Sequence, residues 1–302
     1  GVRLALIAEI AASVVDWRTL AARETALRED LDSAESLARL SEVRERAGLA
    51  PGFDRVRAES SAATSRSRLA ALESERVRLI GRLVTLTAQD AAELRSALAL
   101  TPPTPSEPAA PPAALPSQLL VNRPDVLAAA AALAAEDAEL AAAARRRFPA
   151  FDLSATIGLL AFGPGNLFDA ESVVGSLAAS VAAPLLDFGR IESEIDGAAA
   201  EKKAAFEAYR GAVYAALGDA EAAYGLVAAS DREATAAAEE AAKLRRAAQL
   251  AEMRQRAGLA DFLTVLEARR AADASGDRAA SARGRALRAR VVLWQALGGG
   301  GR

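Results

Sequence analysis

Glu42-Val43-Arg44-Glu45-Arg46-Ala47-Gly48-Leu49-Ala50 returns as Glu252-Met253-Arg254-Gln255-Arg256-Ala257-Gly258-Leu259-Ala260, identical at seven of nine positions and displaced by 210 residues. After each copy comes a Phe and, three residues later, a Val: Phe53 and Val56, then Phe262 and Val265. A displacement of that length is far beyond the roughly 20–50 residues of a solenoid repeat, so the chain holds two related units. Each copy closes an alanine-rich, charged run, and a glycine placed there stops a helix. Pro51-Gly52 confirms a turn after the first copy. The repeat therefore reads as two helical hairpins, each turning at an Ala-Gly-Leu-Ala corner.

Working outward, residues 3–46 contain no Pro or Gly and read as one helix, and 54–98 as its partner. Thr101-Pro102-Pro103-Thr104-Pro105, followed by Pro111-Pro112 and Pro116, forms an extended linker. A short helix near 124–146 opens at Arg123-Pro124-Asp125-Val126, where Pro suits a first turn and Asp favours the positive end of the dipole. The stretch from 190 to 256 has no proline and predicts a helix of ~100 Å. A last helix spans 261–297, before Gly298-Gly299-Gly300-Gly301. The long stretches are expected to pair antiparallel, with Gly48 and Gly258 at the same end. The domain division is 1–100 for the first-repeat helical hairpin, 101–122 for the linker, and 123–302 for the second repeat.

Between the short helix and the longest one the period changes to two. In Phe151-Asp152-Leu153-Ser154-Ala155-Thr156-Ile157-Gly158-Leu159 the odd positions are apolar, and Val173 to Leu185 keeps the same parity. Phe162-Gly163-Pro164-Gly165-Asn166 lies between them as a turn. This is a β-hairpin near 151–185, with strands of the length that crosses a bilayer at a tilt. A lone two-stranded hairpin leaves its edges unpaired in lipid, and long small-residue helices need partners. Both point to a symmetric homo-oligomer.

Composition excludes much else. The 302 residues include 52% hydrophobic but only 4% aromatic residues, carry a net charge of −3, and contain no His and no Cys. Thin aromatic content suits long, closely packed alanine helices rather than a compact core. Cys or His nucleophile–base pairs, disulfides and His-bearing metal centres are excluded. No basic surface suggests nucleic acid. No catalytic triad or phosphate loop is present, so the chain is not read as an enzyme and no cofactor is expected. Gly1-Val2-Arg3-Leu4-Ala5-Leu6-Ile7-Ala8-Glu9 reads as mid-helix, not as a signal peptide. Projected back by 210 residues, the first copy's β-hairpin falls before Gly1. The expectation is an N-terminally truncated chain.

Five stretches together resemble the TolC-like outer membrane factors of tripartite efflux pumps, in the NodT-type lipoprotein branch. They are Leu115-Pro116 with Leu119-Leu120 and Arg123-Pro124-Asp125-Val126; Phe148-Pro149-Ala150-Phe151; Pro184-Leu185-Leu186-Asp187-Phe188-Gly189-Arg190; Ala257-Gly258-Leu259 with Phe262-Leu263-Thr264-Val265-Leu266-Glu267-Ala268-Arg269-Arg270; and Ala296-Leu297-Gly298-Gly299-Gly300. The fold implied is mainly α with a β-hairpin: antiparallel helical hairpins of an α-barrel plus strands of a transmembrane β-barrel. The resemblance implies a homotrimer in the bacterial outer membrane, extending into the periplasm. It further implies a passive conduit for drugs or other small molecules, served by a periplasmic adaptor protein and a proton-driven inner-membrane pump. Gly48, Leu49, Asp54, Gly258 and Leu259 fall at the tips that meet the adaptor, and Glu267 with Thr264 at the pore constriction. Ala260 departs from a tip Arg found in some members, and Phe188 from a common Gly. The alternative is a periplasmic coiled-coil adaptor or scaffold without a pore.

Overall fold

A computed structural model describes residues 1–100, 123–159 and 173–299. The proline-rich linker, the Phe162–Asn166 turn and the end of the glycine-rich tail lie outside the described residues. The elements in order are α1 (Val2–Arg46), α2 (Gly52–Thr87), α3 (Ala91–Leu100), α4 (Pro124–Arg145), β1 (Ala150–Leu159), β2 (Val173–Ala182), α5 (Arg190–Arg256) and α6 (Phe262–Ala296). They form two compact units, Gly1–Pro124 with Ala215–Arg302, and Asp125–Tyr214.

In the first unit the buried seam has a period of seven. Ser13, Leu20, Leu27, Ala34 and Ser41 are buried along α1, and Ala58, Ser65, Leu72 and Leu79 along α2. Ser275, Ala282, Ala289 and Ala296 continue the rule along α6. A sustained seven-residue period imposes left-handed supercoiling. The seam is filled by Ala and Ser as often as by Leu, so the helices approach closely. Buried serines do not leave orphan hydroxyls: Ser13 Oγ donates to the Glu9 carbonyl at 2.8 Å and Ser41 Oγ to that of Leu37 at 2.9 Å.

Ion pairs set the registers. Across α1 and α2, Glu45–Arg55, Glu35–Arg66 and Glu24–Arg76, at 2.7, 2.7 and 2.8 Å, all centre within a residue of Ala50. Across α5 and α6, Asp231–Arg290, Glu233–Arg285, Glu240–Arg278 and Glu252–Arg269 all centre within two residues of Leu259. Each such exposed pair is worth only about 0–1 kcal/mol, but together they admit one antiparallel register. Between α1 and α6, Asp16, Thr19 and Arg23 face Arg288, Gly284 and Asp277 in reverse order. That antiparallel order sends Gly48 and Gly258 to the same end of this unit.

The predicted helix over 54–98 is instead two helices. Ala88 takes a left-handed conformation with φ 55°, and the Asp90 carboxylate accepts the Ala92 N–H at 2.8 Å to start α3. Asp90 followed by Glu93 is the N-terminal signature of a new helix, and no Gly or Pro advertises the break.

In the second unit β1 and β2 pair antiparallel from Ala150↔Ala182 to Leu159↔Val173. The ladder ends before Pro184, three residues short of the sequence reading, because proline has no N–H to donate. Arg146 pairs with Glu194 at 2.8 Å and Asp137 with Lys202 at 2.5 Å, which clamps α4 to the first turns of α5 around the hairpin.

Candidate channel-forming surfaces

The two corners have the same backbone. Gly48 at φ 70° lets its N–H reach the Glu45 carbonyl at 2.9 Å and the Leu49 N–H reach that of Arg44 at 2.8 Å. Gly258 at φ 73° repeats both bonds, to Gln255 at 2.9 Å and from Leu259 to Arg254 at 2.7 Å. This double closure satisfies the last carbonyls of α1 and α5 and needs a residue that tolerates positive φ. It also turns the next side chain outward: Leu49 is 72% and Leu259 69% exposed. Each corner thus presents an apolar knob, and Phe53 beside the first is exposed with the Arg57 guanidinium 4.7 Å over its ring.

Beyond the corners the copies differ. In the first, Pro51 precedes α2 without a side-chain cap, and Asp54 is half-buried in the first turn rather than capping it. A Cβ at Gly52 would lie 2.5 Å from Glu45 Oε1, so a side chain there would displace the Glu45 carboxylate. In the second, Asp261 caps α6 by accepting the Thr264 N–H at 2.8 Å. The Thr264 side chain and main-chain N–H together hold the Asp261 carboxyl below its ordinary value. Thr264 is therefore part of the cap, exposed in the first turn, and Glu267 is exposed one turn further on. Arg269 is engaged by Glu252 at 2.5 Å across the corner.

The hairpin is two-faced. Directly opposed pairs on one side are Phe151/Val181, Leu153/Ala179, Ala155/Leu177, Ile157/Gly175 and Leu159/Val173; on the other they are Asp152/Ser180, Ser154/Ala178, Thr156/Ser176 and Gly158/Val174. Every residue of both strands is exposed. Ten residues at ~3.4 Å each span ~34 Å, or ~26 Å of bilayer at a tilt near 40°. Among the described residues no helix is long and apolar enough to cross a membrane.

Two further features needed three-dimensional register to find. Asp30 of α1 and Asp273 of α6 face each other, and burial with the neighbouring carboxyl pushes Asp30 up to about 7. Burial likewise raises Asp273, with Arg68 opposing the shift on both and Arg269 on Asp273. Arg123, within one of the five family stretches, donates to the Ala296 carbonyl at 3.1 Å and to Asp219 at 2.9 Å. That arginine stabilises the C-terminal end of α6.

Helical hairpins with matching glycine corners and a two-faced β-hairpin also mark the proteins this chain is similar to. Residues 115–299 match the family described as outer membrane efflux protein, which covers more than half of the chain. The chain belongs to this family. It is 32% identical to the pyoverdine export outer membrane protein OpmQ of Pseudomonas aeruginosa across 99% of the chain. It spans 62% of that relative's length. Among solved structures, the outer-membrane channel OprN superposes with a TM-score of 0.85 at 28% identity, over 99% of this chain and 67% of OprN. The outer membrane protein VceC of Vibrio cholerae gives 0.80 at 25% identity, over 99% of this chain and 71% of VceC. The protein is one of the bacterial outer membrane.

Proposed function

We propose that this chain is part of a subunit of an outer-membrane efflux conduit: a homotrimer that passes drugs or other small molecules through periplasm and outer membrane without chemistry of its own. The observation that carries this reading is the two-faced hairpin, apolar on one side, polar on the other and exposed throughout. That is the alternation of a transmembrane barrel strand, lipid outside and lumen inside. Its open edges are tolerable in lipid only when strands from other segments close the barrel. The alanine-rich α4, with only Val126 and Ala143 buried, likewise presents a face for close helix neighbours.

In this proposal the corners at Gly48-Leu49 and Gly258-Leu259, with Asp54, form the tips that meet a periplasmic adaptor protein, itself coupled to an inner-membrane pump. Leu49 and Leu259 supply the apolar contact. Glu267 and Thr264 line the constriction, where a ring of carboxylates favours cations. The test uses cells lacking the gene, complemented with full-length variants and loaded with a fluorescent dye. Leu49→Asp with Leu259→Asp abolishes dye efflux while leaving the amount of trimer in the outer membrane unchanged. Undiminished efflux would remove the corners from the docking surface.

A further inference from the structure

We infer that Asp30 and Asp273 form a proton-dependent clasp between α1 and α6, closed while one carboxyl keeps its proton and opened when both ionise.

The face that α1 turns to α6 is polar at every seventh residue. Asp16, Arg23 and Asp30 each stand three positions after a buried seam residue: Ser13, Leu20 and Leu27. Asp16 meets Arg288 at 2.5 Å, and Arg23 meets Asp277 at 2.6 Å. Two heptads thus join opposite charges. In the third, the same geometry brings two carboxyls together, half-buried and within hydrogen-bonding reach of each other. The series turns apolar at Leu37, which is buried.

A hydrogen bond between two carboxyls needs one proton, because two carboxylates offer acceptors alone. Once that proton leaves for solvent, the seam holds two like charges where water reaches poorly, and they repel. The surrounding cations do not cancel that repulsion. Arg269, one turn before Asp273 on α6, is engaged by Glu252 of α5 at 2.5 Å. Arg68 of α2 acts on both carboxyls but exerts the weakest pull on each, and Glu29 of α1 adds a further negative charge beside Asp30. Burial and the facing carboxyl raise Asp30 to about 7, and burial raises Asp273. An acid raised in the folded protein supports the fold below that value and ceases to as pH climbs through it. The clasp is therefore closed in mildly acidic medium and open in mildly alkaline medium. Asp273 lies six residues, ~9 Å along the helix, from Glu267. The clasp thus sets how firmly the corner end of α6 is held to α1. In the proposed conduit that end carries the constriction, a consequence that rests on that reading; the clasp itself does not.

The test is hydrogen–deuterium exchange of the full-length protein in detergent with a chelator, at pH 5.5 and pH 8.5, with exchange times scaled for the intrinsic chemistry. At the higher pH, peptides over 24–36 and 266–280 are expected to lose protection about tenfold, while those over 216–230 do not change. Asp30→Asn keeps its protection at both pH values. Asp30→Arg, which gives the third heptad opposite charges like the other two, does the same. Equal protection of the unmodified protein at both pH values would overturn the clasp. So would an equal loss over 216–230, or a loss in Asp30→Asn as large as in the unmodified protein. Protection restored at pH 8.5 by magnesium would make the pair a cation site instead, and the proton clasp would fall. The exchange needs no current, so the expected pattern in a protein that conducts nothing would remove the conduit and leave the clasp standing.

Discussion

The helical hairpins of the first unit and the β-hairpin of the second solve opposite problems. The helices satisfy themselves. Seams at seven-residue spacing bury Leu20, Leu27, Leu72 and Leu79, arginine–carboxylate pairs fix the register, and buried serines return their hydroxyls to the backbone. The hairpin satisfies only the bonds between its two strands, and leaves both faces and both outer edges uncovered. A segment this apolar on one face is stable only in a solvent that matches it. The contrast teaches where lipid and other strands must act, and where this chain needs no help.

The contrast is tested most severely on the sheet. Leu153→Arg puts a charge on the apolar face, at a cost of about 2–4 kcal/mol near the bilayer midplane. Each copy in the assembly carries the same charge, so the variant loses nearly all membrane-inserted oligomer on non-boiled gels of outer-membrane fractions. Ser154→Arg, one residue along on the polar face, retains it. Equal loss for both would erase the two-faced reading.

A smaller effect is expected where α1 crosses α6. A Cβ on Gly284 would lie 2.3 Å from Thr19 Oγ1 and 2.5 Å from its Cγ2. Gly284→Ala should destabilise the first unit by roughly 1–3 kcal/mol, the range of overpacked cores. Adding Thr19→Ala should recover most of it, measured as thermal midpoints by circular dichroism at 222 nm. Additive losses would mean that the helices do not meet there.

Smaller again is a pH effect at Asp30 and Asp273. An acid whose folded-state value stands above its unfolded value of about 4 favours folding less once it must ionise. Asp30 is raised to about 7, so stability is highest below pH 4 with respect to this pair and falls as pH rises to about 7. Asp30→Asn should flatten that dependence and raise the thermal midpoint at pH 8. An unchanged slope between pH 4.5 and 8 would show that the carboxyls do not share a proton.

The smallest is Ala88→Gly. At φ 55°, alanine carries a left-handed penalty that glycine lacks, so the exchange stabilises by up to ~1 kcal/mol. A lowered midpoint would mean that α2 and α3 form one continuous helix in solution.

These tests also mark what the sequence made legible. Gly48 and Gly258 announced themselves because few other residues suit a helix end at positive φ, and their repetition fixed the two-hairpin plan. The hairpin was legible because period two lets parity alone name the apolar face. The break at Ala88 was not, since a left-handed alanine leaves no compositional trace, though Asp90 and Glu93 carried a capping signal. Asp30 and Asp273 were out of reach, because their meeting depends on the register of α1 against α6. Phe188 was visible as a departure from a common glycine, and the backbone gives the reason: the turn there takes φ 53°. Thr264 drew notice only as a constriction residue, whereas its observed bonds serve the cap at Asp261.

The central claim is that the hairpin becomes part of a conducting barrel whose constriction carries Glu267. Planar-bilayer recording of the full-length protein, under a tenfold potassium chloride gradient, tests it most directly. The account predicts stepwise currents with a cation-selective reversal potential, which moves toward zero in Glu267→Ala without loss of insertion. Purified trimer that inserts into the bilayer yet passes no current would contradict the conduit itself.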